Sequence, residues 1–328
     1  MVVEVAEPTD VAAARRAAVE AAKALGFDEL RCGRVALVAT EMASNLIKHA
    51  PGGRILVSSY SDSSGTGVEV MALDKGEGIA DVDRALEDGF STAGTPGGGL
   101  GAMRRQADEF VLFSRPGSGT AAIARVAGPA GGNRQVAAVV GAVTVPYPGE
   151  TVCGDAWAIV QSREGPTVMV ADGSGHGPMA EVAARAAVEA FLASAADGSC
   201  VRIIEDIHRA LAPTRGAAVA VARVDAARRV VRYVGLGNIA GALVSGGEVR
   251  HMVSHNGTAG QIAHRIREFE YPFSSPATVI LHSDGLSSRW DLSAYPGLAF
   301  SHPSVIAGVL LRDWSRERDD ASIVVMRA

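Results

Sequence analysis

The stretch AGPAGGNR at 127–134 has no hydrophobic period and consists mainly of glycine, proline and other small residues. Such a segment contributes nothing to a core, so it divides the chain into two parts that must each bury their own. At 328 residues the chain is long enough for two ordinary domains. The division expected is a domain over 1–127, a linker over 128–134 and a second domain over 135–328.

The two parts differ in pattern. Before the linker, an Ala-rich helix is expected at 12–25, with Thr9 or Asp10 as N-cap and Gly26 as stop. A second helix covers 28–49 and is ended by Pro51-Gly52-Gly53. Strands follow at 54–60 and 67–73, then a short helix near 102 and strands at 109–114 and 120–126. Beyond the linker, strand-like runs dominate, at 136–145, 155–161, 167–171, 217–224, 230–234, 240–244 and 278–282. Helical patterns occupy 179–194, 201–211 and 303–314. The fold class expected is α+β in both halves.

Composition excludes several functions. With 48% hydrophobic and 20% charged residues the chain is globular rather than disordered. A net charge of −5 without a basic run argues against a nucleic-acid partner. Cys32, Cys153 and Cys200 are too far apart for a disulfide framework or a zinc site, which suits a reducing cytoplasm. The opening MVVE lacks the basic region and apolar stretch of a signal peptide. No apolar run approaches the roughly 18–20 residues needed to cross a bilayer. A cytoplasmic protein without membrane association is expected; oligomeric state is open.

Three features of the N-terminal half point to nucleotide chemistry. EMASN places Glu41 and Asn45 one helical turn apart on one face. A carboxamide there can hold Mg²⁺ while the carboxylate takes a proton from an attacking hydroxyl; a solvated polar stripe has the same spacing. LDKGEG puts Asp74 at a strand end with Gly76 and Gly78 behind it. Asp74 can accept from an exocyclic amine while the glycines admit a base, although an ordinary turn also suits the pattern. GTPGGGLGAM sets Gly97, Gly99 and Gly101 around a helix start, where free N–H groups suit phosphates and a flexible linker is the alternative.

Taken in order, these pieces resemble the GHKL ATPase superfamily over about 9–126. With DGFSTAG and GGGLGAMRRQADEF, they look like its small RsbT-like anti-sigma and stress-switch serine kinases. The resemblance implies a GHKL-type α/β sandwich that binds ATP with Mg²⁺. Glu41 would be the catalytic base, Asn45 the Mg²⁺ ligand and Asp74 the adenine reader. Gly76, Gly78, Gly97, Gly99 and Gly101 would shape the pocket and lid.

In the C-terminal half, acidic residues recur at strand ends: Gly154-Asp155, Asp172-Gly173, Asp284-Gly285 and Asp319-Asp320. Strand-end carboxylates converging from distant sequence suit hard divalent cations, and a metal pair can activate a water for in-line attack on phosphorus. Each Asp-Gly alone also reads as a turn. CGDAW, MVADGSGHG, VGLGNI, NGTAG, LHSDGL and RDDASIVV together resemble the SpoIIE-type branch of the PPM phosphatases over about 135–327. That implies a β-sandwich flanked by helices and two Mn²⁺ or Mg²⁺ ions. The ions would be held by Asp155, Asp172, Asp284 and Asp319 with help from the Gly173 carbonyl. Asp320 is the neighbour able to share or replace the role of Asp319. His176 either lies near the metals or is a turn histidine. Ala158 stands where many relatives carry an acidic residue, a departure that matches the RsbX-like sub-branch.

The resemblances imply a bifunctional signalling enzyme, kinase and phosphatase on Ser or Thr of STAS-domain regulators in a sigma-factor or stress-response partner switch. Anti-sigma-antagonist or stressosome-type proteins are the expected partners, with a sigma factor or another switch phosphatase as further ones. The alternative is a nucleotide-binding, partner-docking switch that regulates the C-terminal phosphatase with little kinase turnover.

Overall fold

Glu7 and Asp10 cap helix α1 (Pro8–Ala24) reciprocally, and Pro8 supplies a preset φ at its first position. The helix therefore starts earlier than the sequence pattern suggested. Asp10 is not the cap; its carboxylate reaches back to the Glu7 N–H at 2.9 Å. The computed structural model describes residues 1–86, 99–129, 136–196, 198–274 and 276–327. By contact density these form two units: Met1–Arg134 with Pro296–Arg312, and Gln135–Tyr295 with Asp313–Ala328.

The first unit opens with β1 (Val2–Val5), a short strand the sequence pattern did not reveal. After α1 comes α2 (Glu29–His49), capped by Asp28, whose carboxylate accepts from Arg31 N at 2.8 Å. Strands β2 (Gly53–Asp62) and β3 (Gly65–Asp74) form a hairpin. Short helices α3 (Val82–Ala85) and α4 (Gly99–Gln106) precede β4 (Glu109–Ser114) and β5 (Thr120–Ala127). The sheet runs β1-β2-β3-β5-β4, antiparallel throughout.

Alternation along the strands gives this sheet two faces. Val68, Val70 and Ala72 of β3, with Ala122, Ala124 and Val126 of β5, join the core under α1 and α2. The small residues Ala14, Ala17, Ala18 and Ala22 let α1 approach closely. The opposite face carries Glu69 and Arg125, which are buried and paired at 2.7 Å, and Asp62, 3.0 Å from Arg125. Helix α7 (Pro303–Trp314) covers part of it. There Ser304 Oγ donates to Glu69 Oε2 at 2.6 Å, and Gly308 lies against Met71 and Leu73. The break between the units at Arg134 falls within the Gly/Pro stretch, whereas 296–312 groups with the first unit and not with the residues that flank it in sequence.

The second unit contains β6 (Val139–Val145), β7 (Asp155–Ser162), β8 (Gly165–Gly173), α5 (Pro178–Ser194), α6 (Cys200–Ala210), β9 (Ala217–Asp225) and β10 (Val230–Leu236). It continues through β11 (Ala240–Ser245), β12 (Glu248–Met252), β13 (Ser254–His255), β14 (Phe269–Pro272) and β15 (Ala277–His282), and ends with β16 (Ala321–Arg327). One sheet is ordered β13-β10-β9-β8-β7, with β14 paired to β10; the other is β12-β11-β15-β16-β6. Val168 and Val170 of β8 meet Leu243, Leu281 and Val324 of the other sheet, while Met169 and Ala171 point the other way into the α5–α6 layer with Phe191 and Ile203. This is a β-sandwich flanked by helices. Among the described residues no helix is long and apolar enough to cross a membrane.

Candidate functional site

The sandwich brings its acidic residues to one end. Asp155 starts β7 and Asp172 is the penultimate residue of β8, and in the antiparallel register the two are direct partners. Asp284 follows β15 and Asp319 precedes β16, and these strands also pair, with His282 opposite Ile323. Asp172, Asp284 and Asp319 line a cavity of about 530 Å³ together with Ser174, Asn238, Asn256 and Thr258. Asp155 lies deeper, 5% exposed.

Like charges directly opposite each other on a sheet are destabilising, and here they are only partly offset. Asp155 Oδ2 accepts from Ser283 Oγ at 2.6 Å, but Oδ1 is buried without a partner among the described residues. Burial, followed by repulsion from Asp320, Asp319 and Asp284, pushes the Asp155 carboxyl up to about 7 despite the Ser283 hydrogen bond. Burial, then repulsion from Asp155, Asp284 and Asp319, pushes Asp172 up to about 8. Among the described residues no three ligating side chains close on a single point. The carboxylates surround a space instead, which fits hydrated divalent cations that keep several waters. An orphaned buried carboxylate oxygen and mutually repelling carboxyls form a donor set that calls for cations.

The structure separates the two adjacent aspartates. Asp320 is buried, and its oxygens accept from Tyr147 N at 2.8 Å and Gly154 N at 3.0 Å. Asp320 is thus occupied in holding the β6–β7 loop, and Asp319 is the one at the cavity. Gly173 N donates to Gly154 O at 3.0 Å, and a Cβ at Gly173 would collide with the Ala180 carbonyl. Ala158 is buried in the α5–α6 layer, facing away from the sandwich interior.

Several residues here were not singled out by sequence reasoning. Ser283 orients Asp155, and Asn238 Nδ2 donates to Asp284 Oδ2 at 2.7 Å. His176 Nδ1 lies 2.9 Å from Glu150 Oε1, and its ring stacks on Tyr147 with centroids 4.5 Å apart. The only sequence signal for Asn238 was its place in VGLGNI and for Ser283 its place in LHSDGL; for Glu150 and Tyr147 there was none, because their partners are distant in the chain.

In the first unit, Asp74 ends β3 and its Oδ1 accepts from Gly76 N at 2.8 Å and Thr120 N at 3.2 Å. Burial pushes this carboxyl above its usual range. Gly78 has φ +71, and a Cβ there would collide with the Arg115 carbonyl, so glycine is required. A Cβ on Gly76 would stand 3.2 Å from His49 O, so this turn adjoins the C-terminal end of α2. Asn45 is one turn before His49 and Glu41 one turn before that, and both are half-buried. Gly99 and Gly101 lie in the first turn of α4, whereas Gly97 lies outside the described residues.

Comparison with known proteins agrees with this architecture. Residues 5–125 match the histidine kinase-like ATPase domain and residues 163–328 match stage II sporulation protein E. The chain is 39% identical over 111 residues to the serine/threonine-protein kinase RsbT of Bacillus subtilis (strain 168), covering 34% of this chain and 84% of RsbT. It is 25% identical over 140 residues to the phosphoserine phosphatase RsbX of the same organism, covering 42% of this chain and 70% of RsbX. The fold of RsbX solved with magnesium matches with a TM-score of 0.52 at 21% identity, over 58% of this chain and 96% of that one. A chain solved in work on the bacterial stressosome, described as a modular system adapted to control secondary messenger signalling, matches with a TM-score of 0.53 at 26% identity. That match covers 58% of this chain and 99% of the other. The protein is therefore an enzyme of the stage II sporulation protein E family of PPM serine/threonine phosphatases, with an RsbT-type histidine kinase-like ATPase domain ahead of the phosphatase domain.

Proposed function

We propose that the protein both phosphorylates and dephosphorylates Ser or Thr on STAS-domain regulators of a stress or sigma-factor partner switch. The observation that carries the phosphatase half is the cross-strand pair Asp155–Asp172 with an orphaned Asp155 Oδ1. Asp155, Asp172, Asp284 and Asp319, with the Gly173 carbonyl, hold two Mn²⁺ or Mg²⁺ ions. The ions, when bound, supply a water of lowered pKa and neutralise charge on the phosphoryl group. The chain itself orients its ligands: Ser283 holds Asp155, Asn238 holds Asp284, and the Asp320 backbone bonds keep the β6–β7 loop in place. His176 is held by Glu150 and stacked on Tyr147 beside the cavity.

In the ATPase half, Asn45 holds Mg²⁺ of the nucleotide, Asp74 reads the adenine through its Oδ2, and Glu41 takes the proton of the acceptor hydroxyl. Support comes from the half-buried Glu41 and Asn45 on one face of α2 and from the backbone bonds that aim Asp74. Gly76, Gly78, Gly99 and Gly101 shape the pocket, and Gly97 completes the lid. The likeness to RsbT and to the stressosome chain supports a STAS-type partner.

The test is single-turnover transfer of γ-phosphate from ATP to a purified STAS-domain protein, followed by removal of that phosphate on addition of Mn²⁺. Transfer without removal, or removal without transfer, would reduce the reading to one activity.

A further inference from the structure

Several of the second unit's arginines sit on carboxylates. Arg223 and Arg232 both reach Glu164, at 3.0 and 2.6 Å, and Arg228 reaches Glu270 at 3.2 Å. Arg215 is different. It is exposed and has no hydrogen-bond or ion-pair partner among the described residues. Yet its position is held: Thr214 Oγ1 donates to Leu211 O at 2.8 Å, Gly216 N donates to Thr214 Oγ1 at 3.0 Å, and Gln261 Nε2 donates to Thr214 O at 3.0 Å. On the other side, Ser174 N donates to Gly216 O at 3.0 Å, tying the Arg215 loop to the wall of the acidic cavity. The guanidinium Nη1 lies 3.6 Å from where a Cβ would stand on Gly175, which lines that cavity.

We infer that Arg215 is the substrate-phosphate receptor of the phosphatase site: it takes the phosphoryl oxygens of a phosphoserine or phosphothreonine monoester seated over the carboxylate floor. The inference rests on the phosphatase reading above. Charge balance supports it. Two divalent cations, when bound, would offset the charge of Asp155, Asp172, Asp284 and Asp319, and the guanidinium beside Gly175 adds a positive charge that a dianionic ester can meet. A planar guanidinium matches two oxygens of a phosphate and is always charged. Ser174, Asn256 and Thr258 line the same cavity and offer neutral donors to the remaining oxygens. Such a wall favours a dianionic monoester, with three terminal oxygens to bind, over a singly charged diester.

The experiment compares wild type, Arg215→Ala and Arg215→Lys in the full chain loaded with Mn²⁺. It measures inorganic phosphate binding by calorimetry, Mn²⁺ affinity, and kcat and KM on a phosphoserine peptide. Arg215→Ala should weaken inorganic phosphate by roughly tenfold to a hundredfold, as expected for loss of a charged hydrogen-bond donor, and raise KM by a similar factor. Mn²⁺ affinity should stay within about twofold, and Arg215→Lys should fall between the two, because it keeps the charge without the fork. Phosphate binding and KM unchanged in Arg215→Ala, with wild type active, would overturn this inference alone. Reduced Mn²⁺ affinity with unchanged phosphate binding would overturn it too, and make Arg215 a counter-charge for the carboxylates. A wild-type protein with no Mn²⁺-dependent activity would remove the phosphatase reading and this inference together.

Discussion

Ser283 Oγ donates to Asp155 Oδ2 at 2.6 Å and accepts from Ser322 N at 2.9 Å, so one hydroxyl joins the first residue of β7 to the opposite sheet. Both groups are buried. Ser283→Ala should lower stability by about 1–3 kcal/mol, the cost of leaving a buried acceptor unsatisfied. It should also weaken Mn²⁺ binding by roughly tenfold to a hundredfold, as for other groups that orient a ligand. Urea unfolding of the metal-free protein and a Mn²⁺ titration read the two effects separately.

Asp172→Asn should abolish metal-dependent phosphatase activity yet stabilise the metal-free protein at pH 8, because it removes one charge from the Asp155–Asp172 pair. Activity assays and thermal melts with EDTA present would show opposite signs. Equal or lower melting temperature would mean that the pair is not strained without metal.

Asp319 and Asp320 should part company under substitution. Asp319→Asn should lose activity with little change in stability, because its side chain faces the cavity. Asp320→Asn should lose stability, because both its oxygens accept buried or half-buried backbone N–H groups. Circular dichroism melts beside phosphatase assays decide the assignment.

The raised carboxyls imply a pH dependence. Asp155 and Asp172 are held near 7 and 8 in the folded chain, above the roughly 3.9 of an unfolded aspartate. Between about pH 4 and 8 the folded state therefore binds more protons than the unfolded state, and stability falls as pH rises. The metal-free protein should melt higher at pH 6 than at pH 8, and saturating Mn²⁺ should flatten or reverse the trend. Mn²⁺ affinity itself should rise from pH 6 to pH 8, since the ions displace protons.

In the ATPase half, Glu41→Ala should keep Mg·ATP binding but lose phosphoryl transfer, since a general base acts in the transition state. Asn45→Ala should lose Mg²⁺-dependent affinity, read by titration of a fluorescent nucleotide. A separate stability probe is Arg125→Ala. It strands Glu69 and Asp62 beneath the sheet and should cost about 3–5 kcal/mol in urea unfolding.

What the sequence determined by itself was local and periodic. The Gly/Pro stretch led to an expected break, the spacing of Glu41 and Asn45 put both on one face of α2, and strand-end Asp-Gly pairs led to an expected carboxylate cluster. Each of these follows from helical or strand geometry over a few residues. Even there, the start of α1 was misjudged, because Asp10 could serve either as a cap or as the third-position partner of one. Tertiary structure decided everything that depends on register and on distant partners. Only pairing puts Asp155 opposite Asp172, and only the two backbone bonds to Asp320 leave Asp319 as the aspartate at the cavity. The grouping of 296–312 with the first unit was likewise invisible. A helix such as α7, buried from Pro303 to Arg312, has no solvated face to indicate what it packs against, and the exposed side of an alternating strand cannot announce its cover.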